Sequence, residues 1–148
     1  LNHHILLEEP DGWIENKLNS CLVLSCCYQA MGENAAAFDI LFYSFTMDVP
    51  RAEICCEIGR LFMEKREYVT AAYWYQQALL APRKKKNGGF YIADSHDFIP
   101  AIQMCVCLDK AGRHREAFEF HKKARVLKPL HQAVIGNEKY FRDVWGME

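Results

Sequence analysis

A recurrence every 34 residues constrains this chain more than any other feature. Ala37 and Ala71 open similar helical stretches 34 residues apart, and Ala117 opens a third 46 residues on, one more period plus a 12-residue insertion. A fixed period of this length makes the structural unit a supersecondary element that cannot bury its apolar face alone, so neighbours must stack to close a common core. Such an arrangement points to a binding scaffold, and a catalyst has to be argued from other residues.

Three segments align: Leu18–Arg51, Ala52–Lys85 and Phe98–His131. Their seventh positions are Leu24, Ile58 and Met104, their eighth Ser25, Gly59 and Cys105, their eleventh Tyr28, Phe62 and Leu108. The second helix carries Ala37, Ala71 and Ala117, then Leu41, Tyr75 and His121 four residues later, then Ser44, Ala78 and Ala124. Pro50, Pro82 and Pro129 close the units. Small residues let two antiparallel helices approach, large ones fill the groove between units, glycine ends a helix and proline stops it. A generic helical bundle would explain the amphipathic helices but not their shared register. The pattern is similar to the tetratricopeptide repeat (TPR). It predicts an all-α fold, a TPR-like right-handed superhelix of about three antiparallel helix pairs. A C-terminal capping helix is expected over 132–143, where Val134, Ile135, Tyr140 and Phe141 recur at helical spacing.

At 148 residues the chain is one domain, half apolar and a quarter charged, with a formal net charge of −1. That balance creates no global field for nucleic acid or for an anionic membrane. Apolar runs such as Ala35–Phe38 are too short to span a bilayer, and no signal peptide is evident. The seven cysteines, Cys21, Cys26, Cys27, Cys55, Cys56, Cys105 and Cys107, are odd in number and lie in helical segments. We expect reduced thiols and a cytoplasmic setting. No pair has zinc-site spacing, and neighbours on a helix diverge by about 100°, so packing is the expected role of these side chains. The start at Leu1 leads us to expect a piece of a longer protein.

A short helix is expected over Asn2–Glu9, and Asp48 and Asp97 are the expected caps of the helices that follow them, with Pro50 and Pro100 in the first turns. The insertion, residues 83–97, runs from basic (Arg83, Lys84, Lys85, Lys86) through Gly88-Gly89 to Phe90, Tyr91 and Ile92, then Asp94, His96 and Asp97. The lysines read as a solvated tip, with contact to phosphate or anionic lipid as the alternative. The aromatic stretch is expected to fold back over a repeat junction. Asp94, His96 and Asp97 invite a metal or acid–base role, but their spacing is loose and they precede a helix. No catalytic residue, metal site or cofactor is expected.

The expected docking surface is the concave face of the first helices. It comprises Leu22, Cys26 and Gln29 in the first unit, Cys56, Arg60 and Met63 in the second, and Ile102, Val106 and Asp109 in the third. Repeats that clamp acidic chaperone tails carry lysines and asparagines there. Leu22, Cys26, Ile99 and Gln103 replace them, so that specialisation is excluded. The face suits an amphipathic helix of a partner protein or peptide, a flanking segment such as Asn2–Leu7, or a second copy of the chain.

One stretch carries a narrower resemblance: Pro50-Arg51-Ala52-Glu53, Ala72-Tyr73-Trp74-Tyr75-Gln76-Gln77-Ala78-Leu79, Gly88-Gly89-Phe90 and Asp97-Phe98-Ile99-Pro100-Ala101. It resembles the C-terminal TPR region of bacterial family 2 glycosyltransferases, over about Trp13–Phe141. The resemblance implies a parent transferase using a nucleotide-sugar donor, with an Asp-any-Asp metal motif in a separate domain. No Asp-any-Asp occurs here, so no catalytic residue carries over. The implied role is non-catalytic: recruitment of a protein acceptor, or self-association. The alternatives are a stand-alone TPR adaptor unrelated to sugar transfer and a small metal-binding or catalytic protein using Asp94, His96 and Asp97.

Overall fold

The computed structural model describes residues 14–83 and 92–148. Within them lie seven α-helices and two short 3₁₀ turns: α1 (Ile14–Ala30), α2 (Asn34–Tyr43), α3 (Ala52–Glu64), α4 (Tyr68–Leu80), α5 (Phe98–Lys110), α6 (His114–Leu127) and α7 (Gln132–Trp145). The 3₁₀ turns are Ser44–Thr46 and Ala93–His96. Each helix packs on the next in sequence, most extensively within the pairs α1–α2, α3–α4 and α5–α6 and across α4–α5. The architecture is all-α and consistent with a helical repeat. Among the described residues no helix is long and apolar enough to cross a membrane. The expected helix at Asn2–Glu9, and Lys84, Lys85, Lys86, Phe90 and Tyr91, lie outside the described residues.

The turns inside the three pairs have one geometry. The amide of Glu33 donates to the carbonyl of Tyr28 (2.8 Å), that of Glu67 to Phe62 (3.0 Å) and that of Arg113 to Leu108 (2.8 Å). One residue earlier, Gly32 donates to Gln29, Arg66 to Met63 and Gly112 to Asp109, at 2.9–3.0 Å. These paired bonds satisfy the last carbonyls of each first helix, and they need a left-handed residue at the bend. Gly32 (φ +75°), Arg66 (φ +60°) and Gly112 (φ +84°) supply it. The residues that follow, Glu33, Glu67 and Arg113, have φ between −93° and −97° and ψ between 65° and 73°. The backbone therefore repeats at the predicted 34- and 46-residue offsets.

The register also fixes the packing. Ala37, Ala71, Ala117, Ala78 and Ala124 are fully buried, as are Leu41 and His121, while Ser44 and Tyr75 are 1% exposed. A Cβ built on Gly59 would stand 2.9 Å from Cε2 of Tyr75, so α3 and α4 touch backbone against ring. Ala37 and Leu41 of α2 meet Ile54, Ile58 and Leu61 of α3 in one apolar cluster. A larger one joins α3 and α4 to α5, α6 and Phe141 of α7.

Two expected details differ. Asp48 does not cap α3: Arg51 occupies that position without a side-chain cap, while Asp48 accepts from the Val49 amide (2.7 Å) and pairs with Arg51 (2.8 Å). Pro50 lies before the helix rather than in its first turn. Arg51 is the residue before the first helical turn, so α3 starts three positions later than a cap at Asp48 would require. Asp97 does cap α5, accepting from the Phe98 amide at 2.5 Å, with Pro100 in the first turn.

Helix α7 lies in phase with the array. It starts 34 residues after α5, and Gly146 (φ +64°) follows Gly112 by the same interval. At the places of Met104, Cys105 and Leu108 it carries Glu138, Lys139 and Arg142. Lys139 and Arg142 are exposed.

Gly59→Ala is expected to cost about 1–3 kcal/mol, because the methyl group must displace a fully packed tyrosine. Arg66→Gly is expected to gain about 0.5–1 kcal/mol by relieving a left-handed non-glycine residue. Urea unfolding midpoints of the two variants check both signs.

Candidate functional site

The nine expected face residues form three rows of repeat-equivalent positions, and their exposure changes along the helices. The first row, Leu22, Cys56 and Ile102, is largely closed: Cys56 is 8% and Ile102 7% exposed. Ile102 packs with Phe98, Ala101, Ala124 and Val134, and the Cys56 thiol donates to the Ser95 carbonyl at 3.4 Å. Neither belongs to an open surface. The second row (Cys26, Arg60, Val106) and the third (Gln29, Met63, Asp109) are exposed or half-buried. The accessible part of the expected face therefore lies toward the turns.

A polar network spans the first two units there. The Gln29 amide donates from Nε2 to Ser25 Oγ and to Glu57 Oε1, both at 3.0 Å. The Arg60 guanidinium donates to Gln29 Oε1, to Glu57 Oε1 and, through Nη1, to Glu64 Oε1 at 2.7 Å. Glu57, Arg60 and Glu64 lie at i, i+3 and i+7 on one stripe of α3, which holds the guanidinium flat between two carboxylates. The bond to Glu57 outweighs partial burial and raises the Arg60 pKa. Cys26 sits beside this network. Partial burial first, then the Glu57 charge, push its thiol upward against the opposing pull of Arg60, so it is a weak nucleophile.

A second network surrounds Asp109. Its carboxylate faces Nδ1 of His114 at 2.6 Å and accepts from the Tyr140 hydroxyl at 2.7 Å. Tyr140 in turn accepts from the Trp145 indole N–H (3.1 Å), and Trp145 stacks on His114 with ring centroids 3.9 Å apart. Three helices thus converge on one carboxylate. A hollow of about 210 Å³ lies beside it, lined by Val106, Lys110 and Asn137 among others. Among the described residues no hydroxyl or thiol nucleophile is hydrogen-bonded to His114, and the Asp–His pair ties α5 to α6.

A third network ties α7 to α6. Glu138 accepts from His121 Nε2 at 2.5 Å and from Arg125 Nη1 at 2.8 and 2.9 Å. His121 is fully buried, and its Nδ1 has no hydrogen-bond partner among the described residues. The His121 bond, and then Arg125, hold the Glu138 carboxyl below the usual range against a smaller opposing effect of burial.

Asp94, His96 and Asp97 are drawn apart. Asp94 pairs with Lys128 (2.6 Å), Asp97 with Arg83 (3.0 Å), and His96 Nε2 faces Glu53 Oε2 at 3.5 Å. Among the described residues no group of three or more His, Cys, Asp or Glu side chains is placed to hold a metal ion. The Ile92 side chain, expected to fold back, is 51% exposed; its amide donates to Glu53 Oε2 at 2.8 Å and its carbonyl accepts from the Ser95 amide at 3.0 Å. Burial raises the thiols of Cys21 to about 11 and of Cys55, Cys105 and Cys107 to about 12, which suits packing groups.

Sequence reasoning missed Glu53, Glu57, Glu64 and Tyr140. The helical spacing of Glu57, Arg60 and Glu64 was a usable signal. The contact of Tyr140 with Asp109, across 31 residues, left none. The fold and these networks define an all-helical domain of helices packed in consecutive pairs. No protein-family model matches the chain, and no curated protein matches it.

Glu138 contributes to stability above the ordinary glutamate value of 4.5, and that contribution is lost as pH falls through its lowered folded value. Glu138→Gln is expected to lower the melting temperature at pH 7, with the difference from wild type closing under acid conditions that protonate Glu138. Thermal melts across pH check the sign.

Proposed function

We propose that the chain is a non-catalytic, TPR-like interaction scaffold, its helix pairs winding into a right-handed superhelix with α7 as cap. The accessible rows of its first helices take a protein or peptide segment, or a second copy of the chain. In this reading the domain is appended to a bacterial nucleotide-sugar-dependent glycosyltransferase and serves acceptor recruitment or self-association.

The observation that carries the reading is the recurrence of one turn geometry at 34- and 46-residue offsets. Like turns set a like arrangement of the two helices within each pair, and stacking of like pairs would line the first helices along one side. The mixture on that side fits a partner helix with an apolar stripe and flanking charges. Met63 and Val106 supply partly exposed apolar contact, while Arg60 with Glu64 and Lys110 supply charge. The polar networks use their carboxylates to hold cations and hydroxyls, and none presents an activated nucleophile.

Affinity capture on the immobilised protein tests this. Wild type and Glu119→Lys, on α6, are expected to retain the same partner, while Arg60→Glu and Val106→Asp lose about tenfold or more of it, as removal of an interface hot spot does. Retention by both face variants at wild-type level defeats the proposal. Sedimentation velocity on the free protein separates a second copy from a different partner.

A further inference from the structure

We propose that residues 92–96 form a displaceable strap over Cys56, the innermost position of the second unit's expected face, and that its opening uncovers the Glu53 carboxylate and the Cys56 thiol. The proposal goes beyond the docking reading and needs no partner.

The strap lies against α3, α4 and α5. Polar contacts tie it inward. Glu53 Oε2 accepts the Ile92 amide (2.8 Å) and faces His96 Nε2 (3.5 Å), and the Cys56 thiol donates to the Ser95 carbonyl (3.4 Å). Glu53, Ser95, His96 and Cys56 are all under 9% exposed. The outward contact is an ion pair at the rim, Asp94 with Lys128 at 2.6 Å; Asp97, which caps α5, pairs with Arg83 at 3.0 Å. Ile92 and Ala93 face solvent.

A four-residue 3₁₀ turn has no stability of its own. The contacts that hold it include hydrogen bonds, the buried pairing of His96 with Glu53 and a half-exposed ion pair, each of small net worth. The helices beneath it are held by fully buried apolar side chains instead: Ile54, Ile58 and Leu61 on α3 and Ala71, Tyr75 and Ala78 on α4. Strap and helices therefore belong to different stability classes, and the strap opens without the helices. When open, it leaves a carboxylate that has just released a backbone N–H from an extended segment (Ile92 φ −111°, ψ 105°).

Adjacent cysteines make the opening measurable. Cys55 is fully buried in the core of α3, and Cys56 next to it is covered by the strap. N-ethylmaleimide labelling of the native protein, read by peptide mass spectrometry and divided by the rates in the unfolded chain, reports each thiol. Cys56 is expected to label about tenfold or more faster than Cys55, as a local opening does relative to a global one. Asp94→Asn, which alters only a half-exposed pair, and His96→Ala are each expected to speed Cys56 further and leave Cys55 and Cys107 unchanged. Equal rates for Cys55 and Cys56 in wild type overturn the proposal. So do variants that leave Cys56 unchanged, or that accelerate Cys55 and Cys56 together.

Discussion

Everything in this structure depends on how closely two helices of a pair can approach. Gly59 lies in contact with the Tyr75 ring, the small residues Ser25 and Cys105 hold its equivalent positions, and the fully buried alanines Ala37, Ala71 and Ala117 stand on the second helices. At that separation a large side chain fits inside a pair only opposite a small one, as Tyr75 does on Gly59, while Leu41 reaches into the groove toward α3. Close approach within pairs and filled grooves between them are thus two results of one size pattern. Larger groups at the crossing points would separate the helices and leave Leu41, Tyr75 and His121 without their sockets.

Charge supplements this packing where apolar contact is thin. Glu15 at the start of α1 and Arg51 before α3 form a bidentate pair at 2.7 and 3.0 Å, nearly buried, with Asp48 as a third member. This pair bypasses α2 and joins the first helices of two units directly. A buried ion pair contributes little net stability but is costly to break, so it specifies position more than it strengthens the fold. Gln29 and Arg60 repeat the same linkage one helix length away, at the other ends of α1 and α3.

The helices and their turns were legible in the sequence because they follow from local rules. Small residues at fixed intervals, glycine at two of three bends and proline after each unit mark where the pairs turn and end. Arg66 shows that the bend itself is imposed by packing, since that position turns left-handed without glycine. The site was less legible. Repeat arithmetic placed Cys56 and Ile102 beside Arg60 and Val106, yet a side chain's exposure depends on what covers it. Ser95 covers one and Val134 helps cover the other, and both covering contacts come from outside the repeating register. Asp48 failed as a cap for a related reason: its carboxylate is recruited by Arg51, a partner that helix propensity does not consider.

Helix α7 has the phase of a further first helix but not its chemistry. Where its predecessors offer apolar or small side chains to a following helix, it offers Glu138, Lys139 and Arg142. Any segment that tried to prolong the stack on that side would have to strip water from three charges, one of them already clamped by His121 and Arg125. Burying that stripe under another helix would cost far more than burying Met104, Cys105 and Leu108, whose places it takes.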